Sequence, residues 1–151
     1  MNNKIKKYIF PITIIFWITL DLWTKNLANI YLQNKINILW DFLYFEYVLN
    51  SWIAFSIQIP LFLLKIITIS LIIWIFYYYL KEEKKKNNIL VNLSFWLIFA
   101  GAIWNWIERI INENVIDFIG IKYFSIFNLA DSFIFIWITL YLYTYFKNKK
   151  F

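Results

Sequence analysis

Apolar residues along this chain come in long unbroken runs, without the short polar interruptions of a surface helix or a half-buried strand. The first run extends from Tyr8 to about Trp23 and closes on Asp21 and Lys25. The second, Leu61–Leu80, follows Pro60, a residue suited to a helix's first turn, and ends in KEEKKK at Lys81–Lys86. A third begins at about Ile89 and a fourth at Phe127. These runs predict transmembrane helices over about 8–25, 60–80, 89–107 and 127–146, each near the ~20 residues that cross a bilayer. A basic start before an apolar stretch also suits a cleavable signal peptide. No small-residue cleavage site follows the first run, so it is expected to be a retained span.

Between the first two spans the chain is mixed. Trp40–Leu49 (WDFLYFEYVL) is aromatic and suits extended structure better than helix. Asn50–Ile57 is too polar to span and too apolar for a free loop, which places it against the membrane surface. The expected fold class is an all-α membrane protein. It is a single domain over 1–151, with four transmembrane helices and a small extended β platform and surface segment on the outer face.

Composition supports the membrane reading and narrows the chemistry. The chain is 62% hydrophobic, against roughly 45–50% for soluble domains. It has no Cys and no His, which excludes disulfides, thiol nucleophiles, thiolate metal sites and a Ser-His-Asp triad. No metal and no cofactor is expected, and any acid–base chemistry falls to Asp, Glu, Lys or Tyr. The net charge of +6 forms no basic patch interleaved with aromatics, so nucleic acid is not an expected partner. The cations cluster instead at the ends of the apolar runs. Lys4, Lys6, Lys7, Lys81, Lys84, Lys85, Lys86, Lys147, Lys149 and Lys150 fall on one side of the predicted spans. Lys25, Lys35, Lys65, Arg109 and Lys122 fall on the other. The richer side is expected to be cytoplasmic, with both termini.

On that topology Asp21, Asp41, Glu46, Glu108, Glu113, Asp117 and Asp131 gather at the outer face. Acids beside membrane spans are costly and usually functional. Asp117 and Asp131 can meet there, since the 14 residues separating them reach roughly 45–50 Å when extended. Taken singly, Asp131 reads as a helix cap, Asp117 as a solvated loop acid, Arg109 as an interface anchor, and Glu108 and Glu113 as solvated.

Five ordered blocks change that reading, because together they resemble the lipoprotein signal peptidases (signal peptidase II). Asp21-Leu-Trp-Thr-Lys25 resembles the family's Asp-x-x-Thr-Lys, and Asn50-Ser-Trp-Ile-Ala-Phe-Ser56 its Asn-x-Gly-Ala-Ala-Phe-Ser. Gly101-Ala-Ile-Trp-Asn-Trp-Ile-Glu-Arg109 resembles Gly-Ala-Leu-Gly-Asn-x-x-Asp-Arg. Val115-Ile-Asp-Phe118 resembles Val-Val-Asp-Phe, and Phe127-Asn-Leu-Ala-Asp-Ser132 resembles Phe-Asn-x-Ala-Asp-Ser. Trp52 and Trp104 stand where the family has glycines, and Glu108 stands for an Asp. The Asp117–Asp131 spacing is a few residues shorter than the family's.

The resemblance implies an aspartic endopeptidase of the bacterial cytoplasmic membrane with Asp117 and Asp131 as its catalytic pair. Asn50, Asn105, Arg109 and Asn128 would bind substrate or brace the pair, and Asp21 and Lys25 would be structural. The implied substrate is a diacylglyceryl-modified prolipoprotein, cut before its lipid-bearing cysteine. Membrane lipids are the other expected partner, and the protein is expected to be a monomer. The rival readings are a Ser/Lys peptidase using Ser51 or Ser56 with Lys25 or Lys65, an inactive homologue, and a small membrane scaffold. The topology is directly testable, because the chain has no native Cys. Single cysteines at position 109 should label from outside intact cells and those at 149 should not; external labelling at 149 would overturn the orientation.

Overall fold

The computed structural model describes residues 3–51 and 59–148. Its elements are α1 (Asn3–Tyr31), β1 (Ile36–Leu39), β2 (Leu43–Asn50), α2 (Leu61–Tyr78), α3 (Ile89–Asn112), β3 (Val115–Ile121), β4 (Ser125–Phe127) and α4 (Leu129–Asn148). The chain is mostly helical with a small antiparallel sheet. Three segments are long and apolar enough to cross a membrane by length and composition: Leu61–Lys86, Ile89–Asn112 and Leu129–Lys147. α1 is the longest helix, with 29 residues. The sequence reading ended it near Lys25, but it continues to Tyr31 because Asp21 and Lys25 are buried inside the protein and do not mark a boundary with water. Of the surface segment expected over Asn50–Ile57, Asn50 instead ends β2, and the residues from Trp52 on, Ser56 included, lie outside the described residues.

The helices pack on each other along stripes and leave their remaining faces apolar and uncovered. Ile72 and Tyr79 meet Val91, Phe95 and Phe99 of α3 in the main buried cluster. Tyr141 of α4 closes it, edge-on to Phe95 at 5.0 Å. α2 runs on into one π turn over Tyr79–Glu83 and a 3-10 turn over Lys84–Lys86. Within this irregular end Glu83 is buried. It accepts hydrogen bonds from the Tyr78 hydroxyl at 3.1 Å and the Lys86 ammonium at 2.6 Å. Asn87 then turns the chain in the left-handed conformation, and the Asn88 side chain caps the α3 N–H groups of Leu90 and Val91. α3 and α4 approach closely at Gly101. A Cβ there would lie 3.1 Å from Ile134 and 3.3 Å from the Ala130 carbonyl. One turn beyond, Asn105 is thereby set against the start of α4.

The sheet has the order β1-β2-β3-β4. The extended stretch expected at Trp40–Leu49 is divided: Trp40–Phe42 form a turn, and the strand is Leu43–Asn50. β3 and β4 were not anticipated. Val115–Ile121 is apolar on both sides, as a central strand covered by helices should be, and so lacks the alternation that marks a strand. Gly120 faces Tyr44 across the β2–β3 ladder, and a Cβ there would lie 2.2 Å from the tyrosine ring. That ring also lies under the Lys35 ammonium, 4.0 Å from its centroid. The register pairs Val48 with Asp117 and Asn50 with Val115. It thus delivers Asn50 from one strand and Asp117 from the next to the mouth of the helix bundle.

Candidate active site

The start of α4 gathers polar residues from α1, α3 and β3. The first N–H groups of a helix lack intrahelical partners, and here side chains from two elements take them. Asn128, fully buried, accepts the Asp131 N–H through Oδ1 at 2.9 Å. Asp131 answers through Oδ2, which accepts the Asn128 N–H at 3.3 Å, completing a reciprocal capping box. Asp21 of α1 reaches across and accepts the Ala130 N–H at 2.8 Å. The cap expected for Asp131 is therefore present, and it leaves the other carboxylate oxygen free to point elsewhere.

That oxygen, Oδ1, accepts the Asn105 amide at 2.9 Å. The orientation of Asn105 is not free. Its own Oδ1 accepts from the Lys25 ammonium at 3.1 Å and from the Asn128 amide at 3.3 Å, so its NH2 must face Asp131. Lys25 is buried and shares its three protons among Asp21 at 2.6 Å, Glu108 at 2.7 Å and Asn105. The sequence reading left Glu108 in water. It is buried, because it sits one turn from Asn105 on the same face of α3. The spacing was the available signal. Lys25 has acidic and amide acceptors on all three sides, which removes it as the base of a Ser/Lys pair. Ser56 lies outside the described residues.

Asp117 enters from β3. Its Oδ1 accepts the Asn128 amide at 2.8 Å and its Oδ2 the Asn50 amide at 2.7 Å. Asn128 thus touches both Asp117 and Asp131, the former with its side-chain NH2 and the latter with its backbone N–H and amide oxygen. Burial, and then the charge of Asp131, push Asp117 up to about 7, against the opposing pull of Asn50 and Arg109. A carboxyl in that range holds its proton near neutral pH. Arg109 donates weakly to the Asn105 carbonyl at 3.4 Å, while its buried Nε has no hydrogen-bond partner.

Both aspartates line a cavity of about 920 Å³. Asn50, Arg109 and Ser132 share its polar end. Leu64 and Thr68 of α2, and Phe135 and Ile136 of α4, form a wall that runs down the helices, with Phe42, Phe124 and Phe127 from the sheet opposite. All six candidates, Asn50, Asn105, Arg109, Asp117, Asn128 and Asp131, are therefore brought together. Asp21 and Lys25 lie behind them, in the bracing layer. Trp104 packs beside Trp17, Ile18 and Phe133 between α1 and α4, away from this cavity. Among the described residues, no cluster of three or more Asp or Glu side chains is arranged to hold a metal ion.

Fold and site define a helical membrane protein with two acids, linked through Asn128, on the wall of an apolar cavity. The family model described as Signal peptidase (SPase) II matches residues 13–147. A lipoprotein signal peptidase of Listeria monocytogenes serotype 4a (strain HCC23) is 33% identical over 154 residues, covering 95% of this chain and 96% of its own. One from Bartonella quintana (strain Toulouse) is 37% identical over 127 residues, covering 81% and 71%. A solved structure of a bacterial membrane enzyme superimposes with a TM-score of 0.77 at 28% identity, covering 93% of this chain and 91% of that one. The chain belongs to the signal peptidase II family, and is accordingly a membrane protease.

Replacing Lys25 by Met strands Asp21 and Glu108 as buried acids, which should cost about 3–5 kcal/mol of stability near neutral pH. Thermal unfolding of Lys25→Met in detergent, set against the wild type, checks the size of the loss.

Proposed function

We propose that the chain removes the signal peptide from diacylglyceryl-modified prolipoproteins, as an aspartic endopeptidase using Asp117 and Asp131. The observation that carries this reading is that Asn128 joins the two acids on a cavity wall continuous with the apolar faces of α2 and α4. A substrate held in the bilayer by two acyl chains needs such a lateral opening. In this reading the chain is one domain, α1 is a fourth span, both termini are cytoplasmic, and the acids lie at the outer face of the bacterial inner membrane. The enzyme works as a monomer.

The reaction needs one ionised and one protonated member of the pair, and both acids are held by N–H donors. Asp131 sits in the first turn of α4, where the helix dipole favours an anion, and accepts from the Asn105 amide and the Asn128 N–H. Burial and the charge of Asp131 push Asp117 up to about 7, so the pair holds one proton near neutral pH. The ionised carboxylate takes a proton from water, the water oxygen attacks the scissile carbonyl, and the proton of its partner stabilises the developing oxyanion. That proton then passes to the leaving amine. Arg109 and Asn50, which line the cavity beside the two acids, orient the peptide backbone.

Asp117→Asn and Asp131→Asn should each abolish cleavage of a diacylglyceryl-modified prolipoprotein while leaving the protein inserted and folded. Asn caps a helix about as well as Asp, so loss of cleavage at 131 separates chemistry from capping. Glu113→Gln and Ser56→Ala should retain most activity. Near-normal cleavage by either Asn variant would remove the pair from the mechanism.

A further inference from the structure

Two turns of the sheet lie side by side and carry aromatic residues where water-facing turns carry polar ones. Trp40-Asp41-Phe42 joins β1 to β2, and Lys122-Tyr123-Phe124 joins β3 to β4. The pair Leu43–Ile121 and the bond from the Lys122 N–H to the Phe42 carbonyl, 2.8 Å, hold the turns together. Asp41 and Lys122 approach to 3.8 Å between them. Trp40 is 86% exposed and Tyr123 94%, and both have positive φ, 46° and 64°. Gly or Asn is the usual occupant of such a position, and a bulky aromatic there is strained. Strain of this kind persists where the side chain's direction is worth more than the local relief.

We infer that Trp40 and Tyr123 are a membrane anchor, seated in the bilayer leaflet that adjoins the sheet. Continuity with the membrane-crossing helices carries the argument. Phe42, two residues from Trp40, and Phe124, next to Tyr123, line the same cavity as Phe135 and Ile136, which lie more than one turn along α4 from its start. The tips therefore hang beside helix surface that faces lipid. Aromatic rings flanked by lysine are the chemistry of the bilayer interface, where the ring enters and the ammonium meets phosphate. Lys122 supplies that cation, 5.4 Å from the Tyr123 ring centroid. Seated this way, the turns hold the cavity mouth at headgroup depth, where a lipid-anchored peptide arrives by lateral diffusion. The inference rests on the membrane setting and not on the roles of the two aspartates.

Single nitroxide labels on Trp40→Cys, Tyr123→Cys and Asn34→Cys, in full-length protein in phosphatidylcholine–phosphatidylglycerol vesicles, test the depth. Labels at 40 and 123 should collide preferentially with oxygen, and the label at 34, at the far end of the β1–β2 hairpin, with a water-soluble nickel chelate. Labels at 40 and 123 as water-accessible as that at 34 would overturn the anchor. The double variant Trp40→Asn/Tyr123→Asn suits left-handed backbone and should unfold at an equal or higher temperature. On a diacylglyceryl peptide in vesicles its KM should rise several-fold with kcat unchanged, and in detergent micelles neither should change. An unchanged KM in vesicles, or an equal rise in micelles, would show that the rings do not act through the bilayer. Near-normal cleavage by Asp117→Asn with both depth results intact would remove the aspartate pair and leave the anchor standing, so the two readings fail separately.

Discussion

The position of one ammonium group governs this structure. Lys25 is buried, and an unpaired buried charge is strongly destabilising, so its three protons must each find an acceptor. They find Asp21 one turn earlier on α1, and Glu108 and Asn105 on α3. Asp21, so held, caps α4 through Ala130. Three helices are thereby fixed in rotation and depth by one side chain. Buried ion pairs are poor sources of net stability against apolar packing. What this one supplies is registration, placing the start of α4 against Asn105.

Registration matters because the site is built from amides whose two ends are chemically different. Had Asn105 been free to flip, it would present an oxygen to Asp131, and two acceptors would repel. The Lys25 and Asn128 donors on its oxygen forbid the flip. Asn128 is constrained in the same way, since its oxygen takes the Asp131 N–H and its NH2 serves Asn105 and Asp117. A helix cap, ordinarily worth about 1 kcal/mol, here also sets the two acids relative to each other. Glu108 reaches Lys25 at 2.7 Å and so belongs to the same bracing layer.

The helices were legible in the sequence because runs of Ile, Leu and Phe need no partner to be recognised in a bilayer. That Asp117, Asp131 and the asparagines would gather in one place was legible because they fall in ordered blocks. Three things were not. β3 is apolar on both faces, so its pattern does not distinguish strand from membrane-flanking loop, and the pairing that makes it a strand comes from residues 43–50. Glu108 looked solvated because burial of an acid depends on a lysine 83 positions away. The end of α1 was placed too early, since Asp21 and Lys25 read as a boundary when each is the other's partner. In each case the missing information was a contact distant in sequence.

The proposed reaction requires that Asp117 and Asp131 hold one proton between them at neutral pH. Infrared spectroscopy of the detergent-solubilised protein reads it directly, through the carbonyl stretch of a protonated carboxylic acid. The wild type should show such a band at pH 6 that titrates away with a midpoint of about 7, and Asp117→Asn should lack it. A wild type with no protonated carboxyl at pH 6, or one whose band disappears in the ordinary carboxylate range near 4, would contradict the account.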